Sequence, residues 1–200
     1  MLARLHGATA AIDRAGMDDP GVAPRIDLDV PERDRLEAAL NELDRPWDAG
    51  PYAEETRRLL AARESDVRRW LADNDRLAAE QPADWVVTHG EPHPGNFLRT
   101  GSGLFLIDWN TVAVAPAERD LWMLTRRFAE LAGTAPDGDD DLVLRRYEQL
   151  TGRSISDTAL DLYPIRWTLY DIAVYVDELR RGEDLPESLT YLRGYLRPSR

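Results

Sequence analysis

The stretch His89-Gly90-Glu91-Pro92-His93-Pro94-Gly95-Asn96-Phe97-Leu98-Arg99-Thr100-Gly101-Ser102-Gly103-Leu104-Phe105-Leu106-Ile107-Asp108-Trp109 decides the reading of this chain. Two apolar-rich runs, Phe97 to Thr100 and Leu104 to Ile107, flank Gly101-Ser102-Gly103, the pattern of a β-hairpin with a three-residue loop. With the loop centred on Ser102, Thr100 faces Leu104, Arg99 faces Phe105 and Asn96 faces Asp108. Opposed residues lie roughly 4.5 to 5.5 Å apart, so this register brings an amide oxygen and a carboxylate together. Such a pair suits Mg²⁺, which takes few protein oxygens and completes its shell with phosphate and water. Glu91, five residues before Asn96, lies on the loop entering the hairpin, where a carboxylate can orient a hydroxyl as a base.

These residues resemble the aminoglycoside phosphotransferase and choline kinase family, which is protein-kinase-like and whose catalytic segment reads H-G-D-x-x-x-x-N, then I-D-W or I-D-F after a hairpin. His89-Gly90-Glu91 with Asn96, then Ile107-Asp108-Trp109, match it in order and spacing. Ala115-Pro116-Ala117-Glu118-Arg119-Asp120-Leu121-Trp122 resembles the acidic helix start that follows in the family. The resemblance implies a catalytic base at Glu91, and magnesium ligands at Asn96 and Asp108 that bridge the phosphates of ATP. It also implies that His89 packs and hydrogen-bonds within the loop and that Asp120 braces the loop from below. The plainer reading of Asp120 is a first-turn acid favoured by the helix dipole behind Pro116, which is compatible with bracing.

Position 91 departs from the family, which generally carries Asp. The extra methylene of Glu moves the carboxylate by about 1 Å, a displacement that can cost roughly a hundredfold in rate unless the backbone compensates. Pro92 and Pro94 fix φ and give the loop its own path. The sequence is most similar to spectinomycin-phosphotransferase-like actinobacterial members, in which Glu can stand here. A second departure is that all 25 basic residues are arginine, whereas kinase-like folds set a strand lysine under a glycine-rich loop against the nucleotide phosphates. Met1 to Ala10 resembles the first helix after the hinge. The expected fold is therefore mainly α with a short β-hairpin, the C-terminal lobe of the phosphotransferase, with the nucleotide-covering N-terminal lobe absent.

Other readings fail on inventory. His89-Gly90-Glu91 also fits the H-x-E of zinc deaminases, but those need cysteine ligands, and the chain has none. A metal triad of His89, Glu91 and His93 requires an extended segment, which the interleaved Pro92 and Pro94 oppose. Gly101-Ser102-Gly103 lacks the lysine and helix start of a phosphate loop.

Length and composition, 200 residues with 43% hydrophobic content, suit one domain over residues 1–200, with the catalytic loop and hairpin at 86–109. Neither a signal peptide nor a membrane-spanning apolar run is present in this sequence, so a cytoplasmic protein is expected. Apolar spacing predicts helices over 1–16, 31–43, 51–80, 116–131, 139–150, 157–181 and 185–196, with loops at 16–31 and 133–139. The hairpin is the one confident β element.

A net charge of −12 disfavours nucleic acid and favours cationic ligands. The acidic cluster Asp137, Asp139, Asp140 and Asp141 reads better as a solvated loop and helix start than as a ligand site. On the predicted 157–181 helix, Tyr163, Trp167, Tyr170 and Val174 form a stripe with Asp171 at its edge. In the family this late helix lines the acceptor cleft, and an aromatic wall with one carboxylate suits a ring-shaped cation. Trp167 and Asp171 are thus substrate-binding candidates, and the alternative is core packing with Asp171 satisfied by Arg166 or Tyr175.

Three functions follow. The first is a Mg-ATP-dependent O-phosphotransferase acting on a small cationic hydroxyl-bearing molecule such as an aminoglycoside or aminocyclitol, as in antibiotic-resistance enzymes; GTP is left open. The second is a non-catalytic lobe that binds a small molecule or protein, and the third is an inactive fragment whose N-terminal lobe is missing. A lobe cut at the hinge predicts exposed apolar surface beside the hairpin.

Overall fold

A computed structural model describes residues 1–9, 23–134 and 138–197. The chain forms two compact units, Met1–Leu28 with Leu77–Pro164 and Asp29–Arg76 with Ile165–Arg200. Both are predominantly helical.

In the first unit, α1 (Leu2–Gly7) precedes β1 (Val86–Thr88), a 3-10 turn (Pro94–Asn96), β2 (Phe97–Thr100), β3 (Gly103–Leu106) and β4 (Ala113–Ala115). Strands β2 and β3 are the expected hairpin. Its register is shifted by one residue from expectation: Thr100 pairs with Gly103, Arg99 with Leu104 and Leu98 with Phe105. The physical reason is at the turn, where the Thr100 hydroxyl accepts the Ser102 amide at 3.2 Å and lies 2.9 Å from the Ser102 hydroxyl. That closes the loop to Gly101-Ser102 and draws Gly103 into the strand, where its φ of 143° suits glycine.

A second antiparallel pair, β1 with β4, was not expected. Both strands are three residues long and buried throughout, so they show no alternation to read. Arg25 adds a parallel bridge to Val114. Ala23, Val87 and Val114 pack together beneath this pair.

The expected 116–131 helix is interrupted. It becomes α2 (Glu118–Leu121), a 3-10 turn (Trp122–Leu124) and α3 (Arg126–Leu131). The break falls at Thr125, with ψ of 169°, whose hydroxyl donates to the Trp122 carbonyl at 2.6 Å and so competes with the helical ladder. Helix α4 (Asp140–Thr151) follows, capped at its start by the Asp139 side chain. The remaining sequence expectations at 10–16, 16–22 and Asp137 lie outside the described residues.

The second unit holds α5 (Arg33–Leu40) and α6 (Ala53–Ala62). By residue range α7 (Glu64–Ala79) starts in the second unit and ends in the first, α8 (Asp157–Arg180) starts in the first and ends in the second, and α9 (Pro186–Tyr195) completes the second unit. The expected 51–80 helix is divided at Arg63, where φ of −124° leaves the helical region and Glu64 and Asp66 supply the acidic first turn of a new helix. Leu36, Leu60, Val67, Leu169, Ile172, Val176, Leu179 and Leu192 form an apolar core with 0% exposure. Complete burial of a Leu or Ile side chain stabilises by about 1.5 to 3 kcal/mol.

Candidate phosphoryl-transfer site

The site is built on the turn that leaves β1. Gly90 has a φ of 100°, and a Cβ there would lie 2.4 Å from the Arg119 guanidinium, so only glycine fits. Arg119 donates to the Thr88 hydroxyl at 2.7 Å and to the Thr111 carbonyl at 2.8 Å, tying the ends of β1 and of the segment entering β4 beneath the loop. Burial pushes this guanidinium below its ordinary value, against Asp120, Tyr163 and Glu91, which act to raise it.

Asp120, with no exposed surface, accepts the His89 amide at 2.9 Å and the Gly90 amide at 2.6 Å. A buried carboxylate is tolerable only when its oxygens are satisfied in this way. The His89 ring accepts the Glu91 amide at Nδ1 (3.2 Å), which leaves Nε2 as the donor to the Ile107 carbonyl at 3.0 Å. Trp109 packs edge-on against that ring, with centroids 4.7 Å apart. The Thr111 hydroxyl secures the His89 carbonyl.

Asn96 ends the 3-10 turn, which the His93 side chain caps by accepting the Gly95 amide. Its Nδ2 donates to the Glu91 carbonyl at 2.8 Å, which leaves Oδ1 as the amide's acceptor end. Asn96 faces Ile107, whose amide donates to the Asn96 carbonyl at 3.0 Å. Asn96 and Asp108 are therefore not the cross-strand partners expected, because the tighter turn slides β3 by one residue. Asp108 instead follows a peptide clamped at both ends, Ile107 N to Asn96 and Ile107 O to His89. It sits in the left-handed region with φ of 65°, exposed, with one oxygen accepting Asn110 Nδ2 at 2.7 Å. A non-glycine residue at positive φ is uncommon and tends to mark functional sites.

Hydrogen bonds thus connect His89, Glu91, Asn96 and Asp120 and lead to the residue before Asp108. Asn96 Oδ1 and the exposed Asp108 carboxylate are hard-oxygen atoms of the kind Mg²⁺ takes beside water and phosphate. Among the described residues no group of three or more His, Cys, Asp or Glu is arranged to hold a metal.

Residues 1–155 match the phosphotransferase enzyme family. The chain belongs to that family. It is 32% identical to Protein StrN of Streptomyces griseus over 166 residues, covering 74% of this chain and 44% of StrN. Two solved structures of spectinomycin phosphotransferase APH(9)-Ia share the fold at 18% identity. Against the complex with ADP and spectinomycin the TM-score is 0.70, covering 98% of this chain and 59% of that one. Against the AMP-bound complex it is 0.73, covering 98% and 60%. The chain spans less than half the length of StrN.

Within this family frame, Arg119 is the site residue that sequence reasoning missed. Its signal was its place between Glu118 and Asp120, but only the fold shows the guanidinium beneath Gly90. Asp171 and Trp167 lie in the second unit. There Asp171 accepts the Tyr195 hydroxyl at 2.5 Å, with Trp167 beside the same hydroxyl. Tyr175 stacks on Tyr191 and Tyr195 beside this group, and burial together with the Asp171 charge pushes its hydroxyl up to about 12. The predicted stripe divides, with Tyr163 buried at 4% exposure and Tyr170 exposed at 40%.

The hairpin and the segment leaving it carry five of the ten exposed large hydrophobic residues among those described: Leu98, Leu104, Phe105, Ile107 and Trp109, each between 41% and 49% exposed. No helix of the described residues is long and apolar enough to cross a membrane.

Proposed function

We propose that the chain is the catalytic-loop-bearing C-terminal lobe of an O-phosphotransferase that uses Mg-ATP and acts on a hydroxyl of a small, cationic, aminoglycoside- or aminocyclitol-like molecule. The observation that carries this reading is the clamp on Ile107, whose two hydrogen bonds join the Glu91–Asn96 loop to Asp108. In this reading Glu91 accepts the hydroxyl proton, Asn96 and Asp108 hold magnesium, and Asp120 and His89 keep the loop in place. Magnesium would supply charge neutralisation along the phosphates. The chain's own contribution is positioning, since a 3-10 turn fixed at Asn96 and a braced loop restrict where an acceptor hydroxyl can stand. Trp167, Asp171 and the neighbouring tyrosines offer aromatic faces and a carboxylate to a cationic ring.

The exposed apolar hairpin and the chain's coverage of 59% and 60% of the two phosphotransferase structures support a second reading. Here the lobe requires a further N-terminal lobe or protein partner for efficient transfer, and alone binds without catalysing. Calorimetric titration of Mg-ATP into the chain and into Asp108→Asn tests the first reading. Heat that vanishes in the variant is expected. Equal binding by both proteins would remove Asp108 from the metal site, and absence of binding in the parent would leave only the family membership.

A further inference from the structure

The carboxylate beneath the loop has a third partner from another element. His6, on α1, is fully buried, with Nε2 at 3.0 Å from Asp120 Oδ2 and Nδ1 at 2.7 Å from the Tyr147 hydroxyl on α4. Burial pushes the Tyr147 hydroxyl above its ordinary value, so the phenol keeps its proton and donates it to Nδ1. Nε2 then carries the ring proton and donates to Asp120. The backbone of His6 is fixed as well: its carbonyl accepts the Thr9 hydroxyl at 2.7 Å, and that oxygen accepts the Val87 amide at 2.9 Å, two residues before His89.

We propose that His6, oriented by Tyr147, is a positioning residue of the catalytic loop. Asp120 Oδ2 receives both His6 Nε2 and the His89 amide, while Oδ1 receives Gly90. Two donors on one oxygen and one on the other fix the carboxylate's rotation about its Cβ–Cγ bond. With His6 gone, the carboxylate keeps only the two loop amides and turns with the loop instead of holding it. The relay runs Tyr147, His6, Asp120, His89-Gly90, and it ends one residue before Glu91. Its consequence for turnover rests on the phosphotransferase reading, whereas its effect on the loop does not.

Backbone amide exchange in the whole chain, with His6→Leu, His6→Gln and Tyr147→Phe, tests the relay. His6→Leu removes both bonds. It is expected to speed exchange at His89 and Gly90 by at least about tenfold, the effect of losing one hydrogen bond to a charged group. Val114, in the same unit, and Ile172, in the other, are expected to keep their rates. His6→Gln can offer an amide N–H to Asp120 and an amide oxygen to Tyr147, and is expected to restore slow exchange. Tyr147→Phe removes only the outer bond and should give a smaller rise at the same two amides. Equal acceleration at Val114, unchanged rates at His89 and Gly90 in both His6→Leu and Tyr147→Phe, or no rescue by His6→Gln would overturn the proposal. Should His6→Leu not fold, a rise confined to the loop in Tyr147→Phe, set against His6→Gln, decides it. Where Mg-ATP turnover is measurable, kcat should fall in His6→Leu with KM unchanged. A parent chain without turnover leaves only the partner-dependent form of the functional reading, and the exchange result stands in either case.

Discussion

The two units bury different chemistry. Among the described residues, the second unit buries an apolar core in which no ionisable side chain is buried, and its charges pair at the surface, as where Arg33 joins Asp29, Glu37 and Asp75. The first unit buries His6, His89, Glu118 and Asp120. Surface pairs contribute about 0 to 1 kcal/mol each, whereas an unpaired buried charge is strongly destabilising. The first unit therefore spends its packing on holding polar groups in one arrangement, which is what a site of catalysis by positioning needs. The second buries apolar side chains and leaves its charges to pair at the surface.

The largest test of this contrast is to remove the central carboxylate. Asp120→Ala strands the His89 and Gly90 amides and the His6 ring, and is expected to cost roughly 3 to 5 kcal/mol in denaturant unfolding. Leu60→Ala in the other unit should cost about 2 to 5 kcal/mol through its cavity alone. The difference lies in rescue: Asp120→Asn should recover only part of the loss because one oxygen becomes a donor, whereas Leu60→Met should recover most. Equal recovery at both sites would erase the distinction.

Gly90→Ala comes next. A positive φ costs about 1 to 3 kcal/mol for a non-glycine residue held there, and the new methyl also meets the Arg119 guanidinium. Lost stability with displaced Arg119 contacts is expected in a crystal structure of the variant. A neutral substitution would show that the loop is not held against Arg119.

The smallest effect is a pH dependence of opposite sign in the two units. Glu54, hydrogen-bonded chiefly by Arg57, is held down at about 2, below its ordinary 4.5. Its stabilisation is complete above the ordinary value and is lost as pH falls toward about 2. Burial raises Glu118, so its contribution is largest below the ordinary value and shrinks as pH rises through the raised one. At pH 7 the urea midpoint of Glu54→Gln should fall below the parent's and that of Glu118→Gln should rise above it, with both differences shrinking at pH 3. Shifts of one sign in both variants would contradict the assignment.

Much of the site was legible because its residues are close in sequence. His89, Glu91 and Asn96 lie within eight positions, so a single turn connects them, and the two apolar-rich runs flanking Gly101-Ser102-Gly103 mark a hairpin. The register was not legible, because glycine and serine fit either loop length and the choice fell to the Thr100 hydroxyl. The breaks at Arg63 and Thr125 were hidden by continuous apolar spacing, which periodicity reads as one helix. Strands β1 and β4 were hidden because three residues buried on both faces carry no period.

The sequence by itself determined the family and the hairpin, and it singled out the oxygen-bearing side chains proposed here for a metal and a hydroxyl, because local spacing and residue chemistry encode these. Only the tertiary structure decided that Asp108 follows a clamped peptide instead of facing Asn96. It also placed Arg119 under Gly90 and joined His6 to Asp120 and to Tyr147 across 114 and 141 positions. Contacts at such separations leave no periodic trace in the chain and are selected by burial, which obliges each polar group to find a partner wherever the fold brings one near.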